Sequence, residues 1–153
     1  MSLFGAHHAQ QGTIQEVGHM VEHYFKSRRL DPKKQEISGA EGSGWWLSEG
    51  SARIYIFVQD TSGGPVVRVT SPIVTIPETG DVGAFYRHLL DINATLTSCA
   101  LATSEQAVLV VSQRSTAQLD QEELDSMIWN VAYVADLLDD KLVKEFGARR
   151  YQS

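Results

Sequence analysis

The chain has 153 residues, enough for one domain with a substantial core. Apolar residues make up 42% and charged residues 21%, which is ordinary for a soluble globular protein. A formal charge of −6 argues against a nucleic-acid partner, because phosphate binding needs a basic face. The lone cysteine, Cys99, cannot close an internal disulfide, so nothing points to an oxidising compartment. The opening MSLFGAHHAQQG lacks the basic and apolar regions of a signal peptide. No apolar run reaches the ~20 residues of a membrane span. A cytoplasmic protein is expected.

Residues 1–12 read as a flexible leader, 13–147 as a single domain and 148–153 as a C-terminal tail. From Ile14 to Ser27, the residues Ile14, Val17, Val21, Tyr24 and Phe25 recur at helical spacing. Asp31-Pro32 should stop that helix, since proline disfavours helical backbone in the residue before it. After GAEGSG (39–44), WWL opens an extended segment. Ile54, Ile56 and Val58 then fall on one face of a strand, and Arg53, Tyr55, Phe57 and Gln59 on the other. A loop over DTSGGP (60–65) leads to a third strand at 66–76, where Pro72 suits an edge or a bulge.

A helix is expected from about Asp81, with Val82, Phe85, Leu89 and Ile92 on one side. Two short strands follow, at 98–103 and 106–112, joined as a hairpin across Ser104-Glu105. The last helix carries the strongest signals. Asp120 and Glu123 have capping-box spacing, and Leu119 and Leu124 have that of a hydrophobic staple. Leu124, Met127, Ile128, Val131, Ala135, Leu138, Leu142 and Phe146 continue as one stripe, ending near Gly147. The order α-β-β-β-α-β-β-α, with hairpin-length links, predicts an α+β fold with helices packed on an antiparallel sheet.

The segments "FYRHLLDINATLTSCALATSEQAVLVVSQ" and "LDQEELDSMIWNVAYVADLLDDKL" carry a resemblance. The first is a helix ending in L-x-x-x-N, a strand of small residues, a tight polar hairpin and an apolar strand. The second is the long closing helix. Together with the order of elements, over roughly residues 14–146, they resemble the type III secretion chaperone-like superfamily, which includes the Tir-chaperone and YbjN families. The resemblance implies a small, often dimeric module that binds other proteins and has no catalytic residues to carry over.

Cys99 lies among the small apolar residues of SCALA, and free cysteine is among the most buried residue types. A reactive thiol needs an electropositive, accessible setting, and no basic cluster lies near it in sequence; Cys99 reads as packing, with His88 able to approach only through folding. HMVEH (19–23) matches the H-x-x-E-H pattern of zinc peptidases, and His19 and His23 at i, i+4 share a helical face. That face lies opposite the apolar stripe, which turns the pair toward solvent, whereas a catalytic zinc needs a third ligand and a sheltered position. A metal-dependent hydrolase built on His19, Glu22 and His23 is therefore the alternative reading. A regulatory domain binding a small ligand is another, with no residue set to define it. The glycine-rich loops lack the lysine of a phosphate loop, and KSRRLDPKK (26–34) reads as a solvated helix end. No cofactor and no metal are expected.

One signal exceeds what a core requires. On the last helix, Trp129, Tyr133 and Leu137 fall nearly opposite the main stripe, at successive i, i+4 positions. Tyr55 and Phe57 likewise give the outer sheet face an apolar component. The sequence thus points to a non-enzymatic, chaperone-like or regulatory module, a homodimer in expectation. It would bind a protein partner through Trp129, Tyr133, Leu137, Tyr55 and Phe57.

Overall fold

Thr13 starts the first helix by a reciprocal pair of bonds. Its hydroxyl accepts from the Glu16 amide at 3.1 Å, and the Glu16 carboxylate accepts from the Thr13 amide at 2.8 Å. A computed structural model describes residues 12–39 and 42–152 of the chain. In it, helix α1 (Ile14–Ser27) buries Val17, Val21, Tyr24 and Phe25. A single 3-10 turn at Pro32–Gln35 follows, capped by the Asp31 side chain. Strands β1 (Ser43–Glu49), β2 (Ala52–Gln59) and β3 (Val66–Thr75) then form an antiparallel meander. Gly42, at φ 88°, stands where a Cβ would fall 2.3 Å from the Val58 carbonyl oxygen, so only glycine fits.

Helix α2 (Val82–Asn93) crosses to β4 (Ala100–Ser104) and β5 (Ala107–Ser115), and helix α3 (Gln121–Phe146) closes the chain. Asp120 and Glu123 complete the expected capping box, and Gly147 ends α3 in the left-handed conformation at φ 63°. All pairings are antiparallel, in the order β1-β2-β3-β5-β4. The expected order of elements and the α+β class are both present.

The core lies between one sheet face and the helices. Ile54, Ile56 and Val58 of β2, Val67 and Val69 of β3 and Val108 and Val110 of β5 are fully buried there. Against them pack Val17, Val21 and Phe25 of α1 and Leu124, Ile128, Val131 and Leu142 of α3. Helix α2 joins through Phe85, whose ring meets Phe146 edge-on at 5.2 Å.

The later strands and the C-terminal residues depart from the sequence reading, β5 running on to Ser115. β4 begins at Ala100 rather than 98, because Ser98 turns the chain at φ 67° and leaves Cys99 outside the ladder. Residues 148–152 enter the fold: Ala148 is buried, Arg149–Arg150 form a two-residue strand β6 beside the end of β3, and the Tyr151 amide donates to the Ile73 carbonyl at 3.0 Å. Pro72 sits at a bulge, one of its two expected placements, where the register of the central strand β3 shifts between Pro72 and Val74. Residues 1–11 of the expected leader lie outside the described residues. Gly12 is buried, its carbonyl accepting from the Thr116 hydroxyl.

Candidate functional site

Opposite residues of an antiparallel ladder project to the same side of a sheet. The observed register therefore defines the face turned away from the helices. One row across it reads Trp46, Tyr55, Thr70 and Val111; the next reads Phe57, Arg68 and Gln113; a third joins Pro72 to Leu109 and Ala102. Among the described residues no helix packs over these rows, where Trp46, Tyr55, Phe57, Pro72 and Leu109 are half-buried and Thr70 and Val111 are buried. Tyr55 and Phe57, two residues apart on β2, stack with ring centroids 6.4 Å apart and planes within 8°. The Arg53 guanidinium lies 4.4 Å from the centre of the Trp46 ring. Between the strands lies a shallow depression of about 380 Å³, lined by Tyr55, Phe57, Thr70, Pro72, Leu109 and Tyr151, among others.

Exposed apolar side chains form a second feature, on the far side of α3. Trp129, Tyr133 and Leu137 are 55%, 55% and 56% exposed, while their neighbours Ile128, Val131 and Leu138 are buried. Trp129 and Tyr133 stack in parallel, 5.1 Å between centroids. Because α3 presses its other side onto β2, β3 and β5, this stripe and the bare sheet face look in opposite directions. The structure thus separates the five sequence-derived contact residues into two surfaces: Tyr55 and Phe57 on one, Trp129, Tyr133 and Leu137 on the other.

Sequence reasoning missed several members of these surfaces. Trp46 was legible in principle, since alternation must send one tryptophan of the WWL pair inward and the other out. Arg68 and Leu109 required the register. Tyr151 could not be found, because nothing in a short terminal stretch announces a two-residue strand. On α2, Tyr86 and Leu90 are further exposed apolar side chains one helical turn apart.

The candidate chemical groups are arranged otherwise. His19 and His23 are both exposed, and Glu22 is engaged with Lys26 at 3.5 Å. Among the described residues, no three His, Cys, Asp or Glu side chains gather as a ligand set. His88 turns to α3, with Nε2 2.8 Å from the Glu145 carboxylate and its ring against Phe146. Cys99 is half-buried against the core; burial pushes its thiol pKa up, and its Sγ faces the Thr97 carbonyl at 3.7 Å. That is the opposite of an activated nucleophile. Arg28 of the basic run binds both oxygens of Glu49 at 2.8 Å and covers the Tyr24 ring. A polar hollow of about 450 Å³ lies beside the start of α3, but its Arg114 and Glu123 already satisfy each other at 2.6 Å.

An antiparallel sheet with helices on one side and an aromatic face on the other defines a class of small α+β proteins. Known proteins give that class a name. The sequence profile described as "T3SS (YopN, CesT) and YbjN peptide-binding chaperone 1" matches residues 38–153, and the chain belongs to this family of peptide-binding chaperones. Its fold is similar to that in a solved structure, "Crystal Structure of the ExsC-ExsE Complex", with a TM-score of 0.65. That match is 15% identical and covers 83% of this chain and 93% of the other. At this identity the likeness establishes the fold alone. A comparison with curated proteins finds no match. The resemblance read from the sequence is borne out, and the hydrolase alternative gains no support.

Proposed function

We propose that the protein is a non-enzymatic, cytoplasmic chaperone that acts as a homodimer. Its outer sheet face holds an extended segment of a client protein, and the α3 stripe meets a second copy of the chain. The observation that carries this reading is the bare sheet face itself. An antiparallel sheet commonly leaves one face to water, and that face is then polar. Here it presents Trp46, Tyr55, Phe57, Pro72 and Leu109 instead. An extended chain laid across such a face offers alternate side chains to the depression, so apolar burial supplies affinity without any bond being made or broken.

The α3 stripe supports the homodimer. Three large side chains at i, i+4 and i+8 form a seam that pairs with itself about a two-fold axis, as an isologous interface requires. The working unit in this reading is the single domain from residue 13 through the β6 extension.

Anisotropy titration with a fluorescent peptide, alternating apolar residues with glutamine, tests the client site. Tyr55→Ala with Phe57→Ala should weaken binding by on the order of 30-fold or more, since truncating one buried anchor costs ~2 kcal/mol or more. Equal binding by wild type and variant would remove the sheet face from the account.

A further inference from the structure

We infer that the client segment recognised by the outer sheet face is acidic as well as apolar. The inference rests on the proposed use of that face and adds a charge preference to it. Its basis is the way the fold sorts charge. The chain carries −6 overall, and α3 alone holds seven acidic residues against two lysines. The strands are different. On β1 to β5 the outward positions contain only two charged residues, Arg53 and Arg68, and both are cationic. β6 adds Arg149, opposite Thr75 on the same side.

None of these three guanidinium groups meets a carboxylate among the described residues, whereas Arg28, Arg87, Arg114 and Arg150 all do. Glu105, in the β4–β5 turn, is the acid at the rim of the depression. Arg68 stands directly across from Phe57, and Arg53 lies over Trp46. A cation and an aromatic ring therefore alternate over the surface where an extended peptide would lie. Guanidinium groups bind carboxylates through paired N–H donors. A strand-like segment that alternates apolar with Glu or Asp residues meets both requirements. The same aromatic and cationic elements could stack the bases of a single-stranded nucleic acid. Two or three cations on a chain of −6 give that partner too little phosphate neutralisation, so an acidic peptide is the occupant we assign.

Three fluorescent peptides sharing one apolar pattern, with Glu, Gln or Lys at the alternate positions, test this by anisotropy at low salt. The Glu peptide should bind about fivefold or more tighter than the Lys peptide, with the preference shrinking in high salt. The whole-molecule charge predicts the reverse order, so the sign of the preference is decisive. Arg53→Gln with Arg68→Gln should bring the Glu peptide level with the Gln peptide. The paired Arg→Lys variant should keep most of the preference, and Lys141→Gln on α3 should leave it unchanged.

Tighter binding of the Lys peptide, a preference that survives the paired Gln variant, or displacement of the Glu peptide by oligouridine would each overturn the inference. If all three peptides bind equally and lose binding in the Tyr55→Ala, Phe57→Ala protein, the apolar client site stands and only its charge preference falls. If none of the three binds, the sheet face is not a peptide site and both readings fall.

Discussion

Tyr24 buries its hydroxyl, which has no hydrogen-bond partner among the described residues. Burial disfavours the phenolate and pushes its pKa up to about 12; the Arg28 guanidinium, 4.6 Å from the ring centre, pulls the other way. An unfolded tyrosine titrates near ~10. The folded protein therefore holds this proton more tightly than the unfolded chain does. Its contribution is complete below pH ~10 and is lost as pH rises through the folded value of about 12. Tyr24→Phe removes both the ionisation and the orphaned hydroxyl. Leaving such a group buried costs about 1–3 kcal/mol. The variant should thus melt at the same temperature or higher at neutral pH, and lose less stability than wild type at alkaline pH. A clearly lower melting temperature, with the same alkaline loss, would show that the hydroxyl has a partner. Other single residues were only partly legible. Cys99 was expected in a strand; it lies just before one, because Ser98 adopts a left-handed backbone that composition does not announce. The exposure of His19 and His23 followed directly from helical phase, while the meeting of His88 with Glu145 needed the packing of α2 on α3.

Among the elements, α3 was the most readable. Asp120, Glu123 and Gly147 mark its ends, and the stripe from Leu124 to Leu142 marks its buried side. These signals are local in sequence, so a linear reading finds them. Strand pairing is not local. The bulge at Pro72, the extension of β5 to Ser115 and the pairing of β6 with β3 depend on partners far along the chain. The second stripe of α3 allows a test at this scale. Trp129→Ala with Tyr133→Ala should weaken self-association strongly, since each aromatic anchor in an interface is worth ~2 kcal/mol or more. Exposed substitutions away from special features shift stability by only about 0.5 kcal/mol, so the melting curve should hardly move. Ile128→Ala, on the buried side, should instead cost about 2–5 kcal/mol of stability. Sedimentation across a concentration series, beside melting curves, separates these outcomes. A wild-type protein that stays monomeric at high concentration would reject the dimer seam.

For the molecule as a whole, the fold places its two apolar surfaces back to back and sorts its charge between them. Helices carry most of the acids, and the outward positions of the strands carry arginines. A client on the sheet and a second copy on α3 would therefore not compete for one surface. The sequence suggested both surfaces, through Tyr55 and Phe57 and through Trp129, Tyr133 and Leu137. It did not show that they face opposite ways, which follows from the seating of α3 across β2, β3 and β5. Amide shift mapping by NMR tests the central claim most directly, using a peptide that alternates apolar and glutamate residues. The expected result is a contiguous set of perturbed signals on β2, β3 and β5, around Tyr55, Phe57, Thr70 and Leu109, with the peptide recovered uncut. Perturbations confined to the His19–His23 face of α1, with cleavage of the peptide, would contradict the account.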